Sequence, residues 1–202
     1  VSPESNYLFL RILLILCADP DLELIISQFW SNFENSIEVK NPIGHNGDVV
    51  SVVVTPDGQR AISGSYDRTV KVWNLETGEE IRTLSGHNGW VNSVTVTPDG
   101  ERVISASEDH TVKVRDIETG TEILTFSRHN GWVSSVTVTP DSQRVISSSR
   151  LGSTYKEWDL KVWDLQTGRE IRTLSGHGTT KVAISPDGKQ AVVPWGDRTL
   201  KV

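Results

Sequence analysis

Serine, histidine and aspartate, the parts of a nucleophilic triad, recur together along most of this chain. Histidine stands at 45, 87, 129 and 177, at intervals of 42, 42 and 48 residues. In a hydrolase a carboxylate orients an imidazole, which takes the proton of a serine hydroxyl as it attacks a carbonyl. Repetition argues against that chemistry here, because catalysis needs one constellation in one cleft, whereas this combination returns, whole or in part, from unit to unit. The sequence also holds no Gly-x-Ser-x-Gly elbow, no phosphate-binding loop and no cluster of His, Cys or Glu at metal-ligand spacing. The expectation is a chain with no catalytic residue, no metal and no cofactor.

The elements that would position these residues are short and repeat with them. "GHNGWVNSVTVTPDG" (86–100) returns as "RHNGWVSSVTVTPDS" (128–142), identical at 12 of 15 positions. Apolar residues alternate in "VNSVTVT" (91–97), "RVISAS" (102–107), "TVKVRDI" (111–117) and "EILTF" (122–126). Such runs, rich in Val, Ile and Thr, predict strands with alternate faces buried. Turn signals separate them: "TPDG" at 55–58 and 97–100, "SPDG" at 185–188, and "ETG" or "QTG" at 76–78, 118–120 and 166–168. Pro fixes φ and Gly tolerates positive φ, so these tripeptides close tight turns. Four strands per unit follow. A four-stranded sheet cannot bury both faces alone, so the units must stack on one another.

Residues 1–36 read differently. "YLFLRILLILCA" (7–18) lacks Gly and Pro, and the next segment starts with Asp19 as N-cap and Pro20 at the first helical position. Leu22, Ile25, Ile26, Phe29, Trp30 and Phe33 then share one side of a helix. An N-terminal helical segment that docks on a neighbouring domain is expected. The apolar run at 8–17 is interrupted by Arg11 and falls short of the roughly 20 residues that cross a bilayer. The acidic "VSPESNY" before it does not fit a signal peptide. The start at Val1 and the lack of any Met suggest a piece of something longer.

Composition bounds the partners. The 202 residues are 36% apolar and 23% charged, with a net charge of −6 and both signs interspersed. That charge offers no basic face for nucleic acid or anionic lipid. A single cysteine, Cys17, rules out an internal disulfide framework and points to a reducing compartment, the cytoplasm.

From residue 44 the sequence resembles the WD-repeat family, whose members build β-propellers. Gly44-His45, "SVVVTPDG" (51–58) and "AISGSYDRTVKVWN" (61–74) follow that family's pattern, and "VWD" at 162–164 restores its eponymous dipeptide. The resemblance implies an all-β fold of four-stranded antiparallel blades over 37–202, with units at about 44–85, 86–127, 128–175 and 176–202. It also implies a buried hydrogen-bond chain of His, Ser, Asp and Trp in each blade. The first unit offers His45, Ser63, Asp67 and Trp73. The second offers His87, Ser105 and Asp109, with Arg115 where Trp is expected. The third offers His129, Ser147 and Trp163, its Asp position blurred by a six-residue insertion. The fourth keeps His177 and Asp197, has Val193 in place of serine, and ends before its Trp.

If the repeat core is scaffold, binding belongs where otherwise matching units differ, on loops at one end of the blades. Those positions are Asp48, Trp90 and Trp132 after the Gly-His loop, then Tyr66, Glu108 and the insertion "RLGSTYKEWD" (150–159) with Tyr155 and Trp158. For Trp90 and Trp132, packing on the adjacent blade and partner contact are both open readings; for Tyr155 and Trp158, surface contact is expected. Propellers close with about 4–8 blades; the resemblance implies most often seven, and three units with most of a fourth then make an incomplete ring. A fragment, a half that pairs with another chain, and closure by "SIEVK" (36–40) as a last strand are the alternatives. The expected function is a non-catalytic scaffold for protein or peptide partners, with self-association through open end blades. The alternative is a regulatory tail of a larger ATPase, kinase or protease, and a propeller enzyme lacks converging carboxylates.

Overall fold

The computed structural model describes residues 44–151, 157–177, 182–195 and 199–201. The expected helices of 1–36 and the "SIEVK" strand lie outside the described residues.

The first blade is β1 (Val49–Val54), β2 (Arg60–Ser65), β3 (Val70–Asn74) and β4 (Glu80–Leu84). The second is β5 (Val91–Val96), β6 (Arg102–Ser107), β7 (Val112–Asp116) and β8 (Glu122–Phe126), and the third is β9 (Trp132–Val138), β10 (Arg144–Leu151), β11 (Glu157–Asp164) and β12 (Glu170–His177). Each is an antiparallel meander in chain order. A three-stranded sheet follows, β13 (Ala183–Ile184), β14 (Ala191–Trp195) and β15 (Thr199–Lys201). Among the described residues the fold is all-β, built of propeller blades.

The Pro-Asp-Gly turns work through the side chains that flank them. The Thr55 hydroxyl donates to Asp57, which also accepts the Gln59 amide, and the Gly58 amide bonds the Thr55 carbonyl at 2.8 Å. Gly58 and Gly100 adopt φ of 70° and 75°, where a glycine has no Cβ to clash. In the third blade Ser142 takes this place at φ 57° and carries the cost of the left-handed region.

Burial comes from stacking. Ile62, Val70, Val72 and Leu84 of the first blade pack with Val91, Val94, Val96, Val103 and Ile117 of the second. Ile104, Val112, Val114 and Phe126 repeat the arrangement against Val133, Val136, Val145, Trp163 and Leu165 of the third. Neighbouring innermost strands are also tied: the Val94 amide donates to the Ser51 hydroxyl at 3.0 Å and the Val136 amide to the Ser93 hydroxyl at 3.3 Å.

The insertion in the third unit lengthens a hairpin. β10 and β11 have eight residues each, against six for β6 and five for β7, and pair from Arg144↔Asp164 to Leu151↔Glu157. Trp158 therefore sits on a strand, only 2% exposed, among Ile146 and Leu160 with Val182, Ile184, Ala191 and Val193 of the following unit. This corrects the expectation of surface contact for Trp158: a longer strand pair turned its ring into the seam between sheets, where a large apolar side chain stabilises most.

Candidate functional site

In the first two blades the Gly-His loop and the turn between the second and third strands meet at one end. In the first blade His45 Nδ1 lies 2.8 Å from Asp67 Oδ2, and His45 Nε2 lies 2.6 Å from Ser63 Oγ. Trp73 Nε1 donates to the same Ser63 Oγ at 2.8 Å. An ionised Asp67 can only accept, so Nδ1 carries the proton, Nε2 accepts from the Ser63 hydroxyl, and the indole completes the chain. Burial is the strongest influence on the Asp67 carboxyl and opposes its charge. The Thr69 hydroxyl, the Asn46 amide and His45 together outweigh it and bring the pKa down to about 2.

The second blade copies this as far as its residues allow. His87 bridges Asp109 and Ser105 at 2.8 Å on each side, and Thr111 donates to Asp109 at 2.6 Å. Burial again works against the Asp109 charge, and hydrogen bonds from His87 and Thr111 overcome it, leaving the carboxyl well below the ordinary range. Arg115, buried at the indole position, sends Nη2 to the Ser85 carbonyl at 2.8 Å and toward Glu122 at 3.4 Å. Burial pulls its pKa down, against the pull of Glu122.

In the third blade the aspartate that the insertion obscured is Asp159. Its Oδ1 lies 2.8 Å from His129 Nδ1 and accepts the Ser149 hydroxyl, while His129 Nε2 is 2.7 Å from Ser147 Oγ, to which Trp163 donates at 2.8 Å. Counting back from the tryptophan, Asp159 occupies the place of Thr69, and Glu157 that of Asp67. Burial disfavours its charge, and His129, Ser149 and Lys161 prevail to lower its pKa. Asp197 lies outside the described residues, as does Tyr155, and His177 is described only as the end of β12.

Chemically these sets are closed. Ser63, Ser105 and Ser147 are buried, and two of their oxygens already accept an indole proton, so no substrate carbonyl meets them. Among the described residues no group of three or more His, Cys, Asp or Glu could hold a metal ion.

The exposed groups at this end are different residues. Trp90 is 45% exposed and stacks on Tyr66 of the preceding blade, ring centroids 4.3 Å and planes 25° apart. Trp132 is 42% exposed, opposite Arg150 across β9 and β10. The Tyr66 amide donates to the Asp48 carbonyl at 3.0 Å and the Glu108 amide to the Trp90 carbonyl at 2.9 Å, so each loop is tied to the turn beside it. Glycine makes the approach tight: a Cβ at Gly47 would lie 2.8 Å from the Asp67 nitrogen, and one at Gly89 2.6 Å from that of Asp109. Burial pushes the Glu108 carboxyl up, with nothing to offset it. The Tyr66–Trp90 stack is the packing on the adjacent blade, one of the two open readings for Trp90; the partner residue itself lies in another unit and is not given by the spacing within one.

Stacked meanders with a His-Ser-Asp-Trp chain define the blades of a β-propeller. The family model of the WD domain, G-beta repeat, matches residues 37–74, 78–116, 120–164 and 168–202, and the chain belongs to that family. It is 49% identical over 37 residues to the small ribosomal subunit protein RACK1 of Caenorhabditis elegans, covering 18% of this chain and 11% of that protein. It is 37% identical over 65 residues to cross-pathway control WD-repeat protein 2 of Flammulina velutipes, covering 32% of this chain and 21% of that protein. These matches span about a tenth and a fifth of the length of the two relatives.

Proposed function

We propose that this chain is a non-catalytic scaffold that binds protein or peptide segments at the loop end of its blades. The observation that carries the reading is the Tyr66–Trp90 stack: the Trp90 ring, 45% exposed, is held against the half-buried Tyr66 of the neighbouring blade. Rigid aromatic side chains of this kind anchor protein interfaces at little cost in conformational entropy. Membership in the WD-repeat family supports a scaffold, and the likeness to RACK1, about one repeat in length, supports the same class of protein without extending its ribosomal role to this chain. The proposed compartment is the cytoplasm, on the strength of the single Cys17. Capture of partners from a lysate by the wild-type chain and by the Trp90→Ala plus Trp132→Ala variant tests the reading. Loss of the captured set in the variant, with unchanged circular dichroism, is expected; an unchanged set overturns it.

A second reading, self-association, rests on the leading face of the first blade. Val52 is 62% exposed where its counterpart Val94 is 6%, and Val49, Val54 and Leu75 are exposed where Val91, Val96 and Ile117 are buried. An apolar sheet face of this kind is a site of association. The fourth sheet of a second copy, in which Val192 stands at the place matching Ile62, is the proposed occupant. Sedimentation across a range of concentrations decides: a monomer throughout, unchanged by Val52→Lys, rejects it.

A further inference from the structure

We propose that Trp90, Tyr66, Asp48 and Glu108 form a receptor for the cationic side chain, arginine or lysine, of a bound peptide segment. The inference rests on the binding end described above and names the chemistry of what it takes. Four observations carry it.

The first is how the molecule treats two of its other tryptophans. Trp73 has the Lys71 ammonium 5.8 Å from its ring centroid, and Trp163 has that of Lys161 at 5.9 Å. An indole face attracts a cation through its quadrupole. Among the described residues no lysine or arginine stands over Trp90, whose ring is stacked on Tyr66 and which stays 45% exposed.

The second is the state of the neighbouring carboxylates. In these blades Asp57, Asp67, Asp99, Asp109, Asp141 and Asp159 all accept hydrogen bonds from a threonine, serine or histidine side chain. Glu80, Glu122 and Glu170 each accept a lysine. Among the described residues neither Asp48 nor Glu108 has a side-chain partner. Glu108 is half-buried as well, and the rise in its pKa from burial alone is what an approaching cation would reverse.

The third is preorganisation. Main-chain bonds from Tyr66 to Asp48 and from Glu108 to Trp90 fix a carboxylate residue beside each ring residue, and the ring stack joins the two blades. The close approaches at Gly47 and Gly89 leave these loops little room to shift, so binding loses little freedom there. The fourth is net charge: at −6 the chain draws cationic segments and repels acidic ones.

The test is fluorescence anisotropy of a fluorescein-labelled peptide of alternating arginine and glycine, against the same peptide with citrulline, the neutral isostere, at every arginine. Binding of the arginine peptide at least about tenfold tighter than the citrulline peptide is expected. Glu108→Gln and Asp48→Asn should each reduce that preference, Trp90→Ala should abolish it, and Trp90→Phe should keep most of it. Glu101→Gln, an equal charge change on an exposed residue in the β5–β6 turn, should leave it unchanged. Equal affinity for the two peptides overturns the proposal. So does a lack of saturable arginine-peptide binding up to about 1 mM, or a loss in Glu101→Gln equal to that in Glu108→Gln, which marks a general charge attraction. If lysate partners are lost with Trp90→Ala but not with the carboxylate variants, the cation assignment fails while the aromatic site stands. If they survive the double tryptophan variant, the site itself fails.

Discussion

Phe126 stacks on Trp163 of the next blade, ring centroids 4.8 Å and planes 11° apart. One interface earlier the same two positions are held by Leu84 and Arg115. Trp163 thus does two things, covering the neighbouring blade with its face and donating to Ser147 with its nitrogen. Arg115 leaves Ser105 without that donor and buries a guanidinium instead. Arg115→Trp is expected to stabilise the chain by about 1 kcal/mol, roughly 2–4 °C in Tm. A lower Tm would show that the bonds of Arg115 to Ser85 and Glu122 outweigh the indole.

Asp159, rather than Glu157, completes the hydrogen-bond chain of the third blade. Asp159→Asn, which removes a buried charge from its histidine and serine partners, should cost about 2–4 kcal/mol in chemical denaturation. Glu157→Gln, on an exposed side chain, should stay within about 0.5 kcal/mol. Equal costs would return the role to the position that counting from the tryptophan selects.

Ser142 supplies a smaller and opposite effect. At φ 57° it occupies a conformation that glycine adopts in the two preceding blades. Ser142→Gly should raise stability by about 1 kcal/mol, since relief of the left-handed strain exceeds the added entropy of the unfolded chain. Gly100→Ser, in the matching turn, should lower it by a similar amount.

Acid should loosen the chain in a defined window. The pKa of Asp67 is lowered from 3.8 to about 2 by folding, so its contribution is present above 3.8 and lost as the pH falls toward 2. Asp109 and Asp159 are lowered too and act with the same sign. Thermal melts should therefore show Tm falling between about pH 4 and pH 2, with a shallower fall in Asp67→Asn than in wild type. An equally steep fall would mean that Asp67 is not a source of the dependence.

Trp158→Ala should cost about 3–5 kcal/mol, as expected for an aromatic ring removed from a packed seam. Hydrogen exchange should quicken first in Ala191–Val193, whose side chains include Ala191 and Val193 of that seam. An effect confined to the β10–β11 hairpin would mean that the ring supports only its own blade.

Period-two alternation and Pro-Asp-Gly turns placed the strands of the first two blades, because each strand there is short, flanked by turn residues and half-buried. The His-Ser-Asp combination was legible in those units for the same reason: nothing between His45 and Trp73, or between His87 and Asp109, departs from the repeat. The third unit defeated a reading by spacing because its extra residues were added as strand pairs. That moved the acid onto β11 and carried Trp158 from an apparent loop into a core. What Trp90 contacts was hidden for another reason: Tyr66 is 24 residues earlier and in another unit, and a spacing within one unit cannot reveal a neighbour across a blade interface.

The serine hydroxyls of the innermost strands have a consequence for how such a chain can change. Ser51 holds the amide of Val94 and Ser93 that of Val136, each 43 residues away. One blade cannot slide a residue past the next without breaking this clasp and turning buried valines to the wrong face. Extra length is admissible where the third unit took it, in a hairpin tip away from the clasps. Along the clasped strands themselves the register is fixed, like the pitch of a gear already cut.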